Sequence, residues 1–281
     1  MIPLLLACGG EPPADTGLVY SDDPETTLGG ARPARVTLPA SYTAERDWPL
    51  VVLLHGYAAN STLQDIIFGL GLRIDELGFI LVQPEGTVDS EGAQFWNATE
   101  ECCNFDGSTV DDVGYLSGLI DEAHAQYPLS TVVLVGHSNG GFMAYRMACD
   151  VPQQLDGVVV LAGATYKDEL DCLGTQPVSV LHIHGTEDES IAFASSETHA
   201  GAEESAGRWA TKAECTSPAA VLGTRDYLSS VDGEETTPSQ WAGCADTIDV
   251  QWWNVSGGDH ILLGNAAAFK DDVAAWAVGR E

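Results

Sequence analysis

The sequence predicts an α/β fold: a mostly parallel, doubly wound sheet with helices on both faces. Two observations carry this. Short, β-branched apolar runs each end in glycine or a polar turn, and helical patterns lie between them. With 281 residues, 44% of them hydrophobic, the chain can bury one large core. Residues 32–281 are expected to form a single domain, and residues 1–31 a leader followed by a flexible tether.

Taken in order, the strand candidates are "WPLVVLLHG" (48–56), "GFILVQPEG" (78–86), "STVVLVGHS" (130–138), "LDGVVVLAG" (155–163), "PVSVLHIHG" (177–185) and "DTIDVQWWNVSGG" (246–258). Such continuous apolar runs suit strands covered on both faces. Helical patterns occupy 61–77, 110–126, 140–150, 197–213 and 265–278. In 110–126, Val113, Leu116, Leu119, Ile120 and Ala123 recur at helical spacing. Asp111 and Asp112 open that segment, where the helix dipole favours negative charge. The Gly/Ser/Glu-rich stretch 223–240 reads as an excursion, after which the strand and helix patterns resume. No internal repeat is found.

Charge narrows the partners. Eleven basic residues face 42 acidic ones, a net charge of −31. Such a surface repels nucleic acid and anionic lipid and says little about catalysis. No run of 18 or more apolar residues is present, so nothing after the N-terminus reads as a membrane span.

The start, "MIPLLLACGG", places five apolar residues before Ala7-Cys8. Leu5-Leu6-Ala7-Cys8 has the form of a bacterial lipobox, although no basic residue precedes it and the apolar stretch is short. The expectation is an exported protein, either a lipoprotein anchored through Cys8 or a secreted or periplasmic one. Residues 9–31 are rich in Gly, Pro, Asp, Glu and Thr and read as the tether. The remaining cysteines are Cys102, Cys103, Cys149, Cys172, Cys215 and Cys244. Six in an exported chain suggest disulfides, with buried thiols as the alternative. Metal binding is not expected: Cys102-Cys103 lacks C-x-x-C spacing, and no histidine or cysteine pair completes a site.

In sheets of this kind, ligands bind beyond the carboxyl ends of the strands. That singles out His55-Gly56-Tyr57, Ser138, Asp188 and His260. Gly136-His137-Ser138-Asn139-Gly140 matches G-x-S-x-G between "TVVLV" and "GFMAYRMAC", a strand–turn–helix context. A plain tight turn is the bland reading. The sharp one is a nucleophile held on a strained elbow, with the Asn139 N–H aimed at an oxyanion.

A serine hydroxyl needs a base, and the base needs an acid to orient it. In this fold the chain order is Ser, acid, His. His260 follows two glycines at a strand end and is the candidate base. The acid lies in Thr186-Glu187-Asp188-Glu189; Asp259 would diverge from the ring of its neighbour. Asp188 is favoured, but the strand argument alone does not separate it from the adjacent glutamates. His55, His137, His182 and His184 read as histidines satisfied within the structure.

These residues resemble a family. "LLHGYAAN", "WNATEECCNFDGSTVDDVGYLSGLIDEAHAQYP", "GHSNGGFMAYRMAC", "PVSVLHIHGTEDE" and "GGDH" together are similar to bacterial poly(3-hydroxybutyrate) depolymerase and LpqC-like esterases, related to feruloyl and acetylxylan esterases. The likeness covers roughly residues 32–278 and implies the α/β-hydrolase fold. It places the acid of His-Gly-Thr-x-Asp on Asp188, and the second oxyanion donor on the Tyr57 N–H after His55-Gly56. It also implies disulfides between Cys215 and Cys244, and between Cys102 or Cys103 and Cys149 or Cys172, with that pairing open.

Two departures stand out. Asp-His-Ile-Leu-Leu-Gly replaces the usual Gly-His-Thr-Trp-Pro-Gly around the histidine, and His-Gly-Tyr replaces a His-Gly-Cys-type oxyanion loop. Tyr57, Trp96 and His137 are candidate cleft-lining residues, with core packing as the alternative for each.

The function expected is an esterase of Ser138, His260 and Asp188 that needs no metal or organic cofactor. It would act as a monomer on short-acyl, hydroxycinnamoyl or polyester esters. A peptidase or thioesterase with the same residues is the nearest alternative, and a non-catalytic binding lipoprotein the more distant one.

Overall fold

A computed structural model of the chain describes residues 18–245, 247–262 and 265–279; the lipidation expected at Cys8 lies outside the described residues. In chain order the strands are β1 (Thr27–Leu28), β2 (Ala34–Thr37), β3 (Trp48–Leu54), β4 (Ile80–Gln83), β5 (Thr87–Val88), β6 (Gln94–Phe95), β7 (Leu129–His137), β8 (Gly157–Leu161), β9 (Ser179–Gly185), β10 (Ala220–Val221), β11 (Thr236–Gln240) and β12 (Val250–Val255). The α-helices are α1 (Ser61–Phe68), α2 (Asp112–Gln126), α3 (Asn139–Asp150), α4 (Ala202–Lys212) and α5 (Ala267–Ala277).

Ten strands share one sheet in the order β1-β2-β4-β3-β7-β8-β9-β12-β11-β10, and β5 and β6 form a separate hairpin. From β4 to β12 every neighbouring pair is parallel; the pairings outside them are antiparallel. The chain runs from β3 outward to β4, then returns to the other side of β3 as β7. This reversal opens the crevice beyond the strand ends where such sheets take ligands.

Side chains of the central strands alternate strictly between two cores, as period-two geometry requires. Leu50, Val52 and Leu54 of β3, Val132 and Leu134 of β7, and Val158 and Val160 of β8 pack with α2, α3 and α4. Val51, Leu53, Val133, Val135, Val159 and Leu161 face the other way, against Phe68 of α1 and Phe269, Val273 and Ala274 of α5. Both layers being apolar is what made these strands read as unbroken runs.

Several expectations change. The helix sought over 61–77 is shorter: α1 ends at Phe68, and short 3-10 and π turns carry the chain to β4. The stretch 223–240 is not wholly an excursion, because β11 lies antiparallel to β12 in full register. Nor do residues 18–31 all behave as tether. Thr27 and Leu28 pair with Arg35 and Ala34 at the sheet edge. Gly29 N–H donates to Glu122 at 2.7 Å, and the Tyr127 hydroxyl donates to the Glu25 carbonyl. The domain thus begins before residue 31, held by backbone pairing that composition does not reveal.

The expected pairing of Cys102 or Cys103 with Cys149 or Cys172 is corrected. Cys149 joins Cys172, Cys215 joins Cys244, and Cys102 joins its neighbour Cys103. Helix length explains why Cys102 does not reach Cys149. The Cys102 carbonyl is fixed at the start of α3, where it accepts from Asn139 Nδ2 at 3.2 Å. Cys149 lies ten residues further along that helix, about 15 Å away. Cys172 passes the far end, with Cα atoms 4.8 Å apart. Proteolysis without reduction should yield one peptide pair joined through Cys149–Cys172 and another through Cys215–Cys244. Replacing Cys149 and Cys172 together by serine should lower unfolding stability by about 3 kcal/mol in denaturant titration.

Candidate active site

Three strand ends build the site. β7 runs straight into α3, and Ser138 occupies the junction at φ 53°, ψ −122°, a conformation that L side chains rarely adopt. The turn is this sharp because the flanking backbones touch. A Cβ at Gly136 would collide with the Gly140 carbonyl, and one at Gly140 with the Leu54 carbonyl. Ser138 N–H donates to the Leu161 carbonyl at 2.8 Å, tying the elbow to β8.

The other two ends come from β9 and β12, parallel neighbours in register. Their loops are pressed together: a Cβ at Gly185 would strike the Gly258 carbonyl, and Glu187 N–H donates to that carbonyl at 2.9 Å. Asp188 and His260 therefore emerge side by side. His260 Nε2 lies 2.9 Å from Ser138 Oγ, and its Nδ1 lies 2.8 Å from Asp188 Oδ2. The Asp188 side chain is fully buried, whereas that of His260 is 14% exposed.

Hydrogen bonding sets the charge of Asp188. Burial alone would raise the Asp188 carboxyl, but hydrogen bonds from His184 and His260 and from the Ile191 N–H more than offset it. The carboxyl is held well below the usual carboxylate range and is ionised at neutral pH. Its second oxygen accepts from Ser190 and Ile191 N–H at 2.9 and 2.8 Å. Acting as an acceptor, Asp188 holds the proton of His260 on Nδ1. That leaves Nε2 bare to accept from Ser138 Oγ.

Beside the elbow runs the loop after β3. Leu54 pairs with Gly136, so the two loops leave the sheet together, and a Cβ at Gly56 would sit 3.4 Å from Ser138 Cβ. Gly56 and Ala58 N–H donate to Gln64 and to the Gln94 carbonyl at 3.0 and 2.9 Å. Tyr57 N–H, between them, donates to no described residue. Asn139 begins α3, so its N–H has no partner within the helix. Its side chain braces the opposite wall: Oδ1 accepts from Trp96 N–H at 2.7 Å, and Nδ2 donates to the Trp96 and Cys102 carbonyls. This bracing role was not read from the sequence.

Two cleft candidates are corrected. Trp96 is fully buried; its indole N–H donates to the His55 carbonyl at 3.0 Å and its ring packs against the His55 ring. His137 is buried beneath His260, donating from Nε2 to the His260 carbonyl at 2.9 Å. Burial, with His260 beside it, pushes the His137 pKa down to about 4. Both side chains pack inside the fold, Trp96 against the His55 ring and His137 against the His260 ring. Tyr57 does face outward. Its hydroxyl donates to Asp89 at 2.7 Å, its ring meets exposed Phe105 edge-on at 5.2 Å, and the Asp89 bond pushes the phenol up to about 12.

His55 is a loop brace. Gly86 N–H donates to its Nε2 at 2.8 Å, which leaves the proton on Nδ1 to donate to the Gly56 carbonyl at 2.7 Å. A separate cleft of about 750 Å³ lies at the other end of the sheet and contains none of Ser138, Asp188 or His260. Its central carboxylate, Asp249, already accepts from Gln240, Gln251 and Trp276. Among the described residues no group of three or more His, Cys, Asp or Glu side chains is arranged to hold a metal ion.

The sheet order, the serine elbow and the later strand-end Asp and His are those of an α/β hydrolase. The chain belongs to the phospholipase/carboxylesterase family, whose sequence pattern it matches over residues 41–215. That span includes Ser138 and Asp188 and stops short of His260. NocK of Nocardia uniformis subsp. tsuyamanensis, an esterase by name, is 29% identical over 147 residues, 52% of this chain and 41% of NocK. The bifunctional acetylxylan esterase/xylanase XynS20E of Neocallimastix patriciarum is 24% identical over 174 residues, 61% of this chain and 24% of that protein. The match thus spans less than half the length of either relative. An acetyl xylan esterase from Aspergillus awamori aligns over 92% of this chain and 98% of its own, with a TM-score of 0.62 at 12% identity, a likeness of fold.

The depressed pKa of His137 makes stability pH-dependent with a definite sign. The unfolded chain takes up a proton near the ordinary value of 6.5, which the folded state refuses until about 4. Stability present above pH 6.5 should therefore be lost as pH falls toward 4, with buried His55 and His182 adding in the same direction. His137→Gln should give a shallower fall across that window in urea titrations from pH 7 to 4.

Proposed function

We propose that this protein is an exported serine carboxylic-ester hydrolase working through an acyl-enzyme. The observation that carries this reading is the unbroken contact from Ser138 Oγ through the His260 ring to Asp188. Ser138 Oγ attacks the ester carbonyl carbon while its proton passes to His260 Nε2. The carbonyl oxygen takes the negative charge and rests on the Tyr57 and Asn139 N–H groups. As the tetrahedral adduct collapses, the C–O bond breaks and the alcohol leaves with the proton from Nε2. Water then attacks the acyl carbon, giving a proton to the same nitrogen. The acid departs, and Ser138 Oγ recovers that proton. Asp188 stays ionised throughout, orienting His260 and stabilising its charged form.

The chemistry needs no cofactor in this scheme. Short-acyl, hydroxycinnamoyl and polyester esters are the substrate classes. The pair of half-buried Tyr57 and exposed Phe105 at the oxyanion loop favours acyl groups with a flat or extended apolar body. Resemblance to poly(3-hydroxybutyrate) depolymerase and LpqC-like esterases supports the polyester and hydroxycinnamoyl classes, whereas the names of the acetylxylan esterase relatives support the short-acyl class. The Cys149–Cys172 and Cys215–Cys244 disulfides favour an oxidising compartment, reached as a secreted or periplasmic protein or as a lipoprotein anchored through Cys8.

A serine-directed phosphonate should add once, on Ser138, and abolish hydrolysis of p-nitrophenyl acetate and butyrate. Ser138→Ala should lower kcat at least about 10⁴-fold with its thermal transition unchanged. Full activity in that variant would overturn the mechanism. Methyl ferulate, acetylated xylan, poly(3-hydroxybutyrate) film and an aromatic polyester, assayed side by side, separate the substrate classes. Turnover confined to peptides would refute the esterase reading.

A further inference from the structure

Behind Asp188 the polar contacts do not stop. His184 Nε2 lies 3.1 Å from Asp188 Oδ2, the same oxygen that holds His260, and 3.0 Å from the Ile191 carbonyl. His184 Nδ1 lies 3.2 Å from His182 Nε2, and His182 Nδ1 lies 2.8 Å from the Tyr145 hydroxyl. All three side chains are buried. His182 and His184 are two apart on β9 and share one face, with ring planes 10° apart; Tyr145 reaches them from α3. Trp209, Trp252 and Phe193 wall them in.

Hydrogen positions in this chain follow by elimination. Both partners of His184 Nε2 are acceptors, so that nitrogen carries a proton. A neutral His184 then has a bare Nδ1, which must accept from His182 Nε2. A neutral His182 in turn has a bare Nδ1, which must accept from Tyr145. Burial disfavours charge at either end, raising the Tyr145 phenol well above its ordinary value and lowering His182 well below its own. Every bond therefore points one way, toward the carboxylate.

We propose that Tyr145, His182 and His184 form a positioning relay for the triad acid, a one-way hydrogen-bond chain that sets how strongly Asp188 holds His260. The proposal rests on the triad reading above. His184 and His260 share Asp188 Oδ2, so each bond tempers the other; removing the His184 donor leaves that oxygen wholly to His260. The charged and titratable groups facing this ensemble are few. The His137 ring centre lies 5.0 Å from that of His260, tilted by 42°, and the Asp259 carboxylate accepts from the His260 backbone N–H at 2.6 Å. Glu187 and Glu189 flank Asp188 but are exposed, and the aromatic walls from α4, β12 and the loop after β9 are uncharged.

Two measurements test the relay. Long-range ¹H–¹⁵N spectra of the full protein should show His182 and His184 as neutral Nε2–H tautomers at pH 7, and Tyr145→Phe should move the Nδ1 resonance of His182. Either histidine as the Nδ1–H tautomer, or as an imidazolium, overturns the proposal.

The second measurement is the pH profile of p-nitrophenyl acetate hydrolysis. His184→Phe, which keeps ring bulk without a donor, should move the acid limb of kcat/KM upward by about half a unit to one unit. His184→Gln, which keeps an N–H near the Nε2 position, should leave that limb in place. Equal loss of kcat/KM in both variants with no movement of the limb would mean that His184 only fills space, and the relay fails. If the unsubstituted protein hydrolyses no ester and takes no phosphonate, the esterase reading fails, while the tautomers still judge the relay.

Discussion

A buried carboxylate has to be met by donors on every side, and Asp188 imposes that demand on the whole active end of the molecule. Taking its charge out of water costs several kcal/mol unless hydrogen bonds replace the lost solvent. Four donors do so: Ser190 and Ile191 N–H from its own turn, His184 from β9, and His260 from the loop after β12. One of these, His260, arrives from a distant part of the chain, so satisfying the charge also docks the β12 loop against β9. The geometry that orients His260 and the bonding that makes Asp188 tolerable are the same contacts.

The elbow is the second constraint, and it is steric. A positive φ at a serine persists only where surrounding structure holds it. Here β3, β7, β8 and α3 close on it, with glycines wherever a Cβ would meet backbone. The same device recurs where Gly185 meets Gly258 under the acid and base loops. The reactive groups thus sit on four parallel strand ends pressed too tightly to slide, which keeps Ser138, His260 and the two N–H groups of Tyr57 and Asn139 in a constant relation. Preorganisation of this kind is what acyl transfer asks of a protein.

Reading the chain in one dimension succeeded where local pattern and physics coincide. The central strands were legible because both of their faces are apolar, so they appear as runs such as "TVVLV" without a partner being known. Ser138 and His260 were legible because each follows such a run and their order along the chain matches the fold; Asp188 was separated from its neighbouring glutamates only by the family resemblance. The edges were less visible. β1, β2 and β10 are two to four residues long and partly or wholly exposed, and their pairing rests on backbone groups that every residue carries.

Residue type and spacing alone determined the α/β class, the elbow serine, and the strand ends from which Asp188 and His260 emerge, since these depend on periodicity and on turns that only glycine permits. Tertiary structure decided which faces are buried. It buried Trp96 and His137, left Phe105 exposed against the Tyr57 ring, joined Cys149 to Cys172 at the far end of α3, and lined up Tyr145, His182 and His184 behind Asp188. Those outcomes depend on which distant segment packs over a given side chain. A histidine in "HIHG" has the same local neighbours whether it fills space or bonds a carboxylate; only the approach of α3 and of the Asp188 turn distinguishes the two.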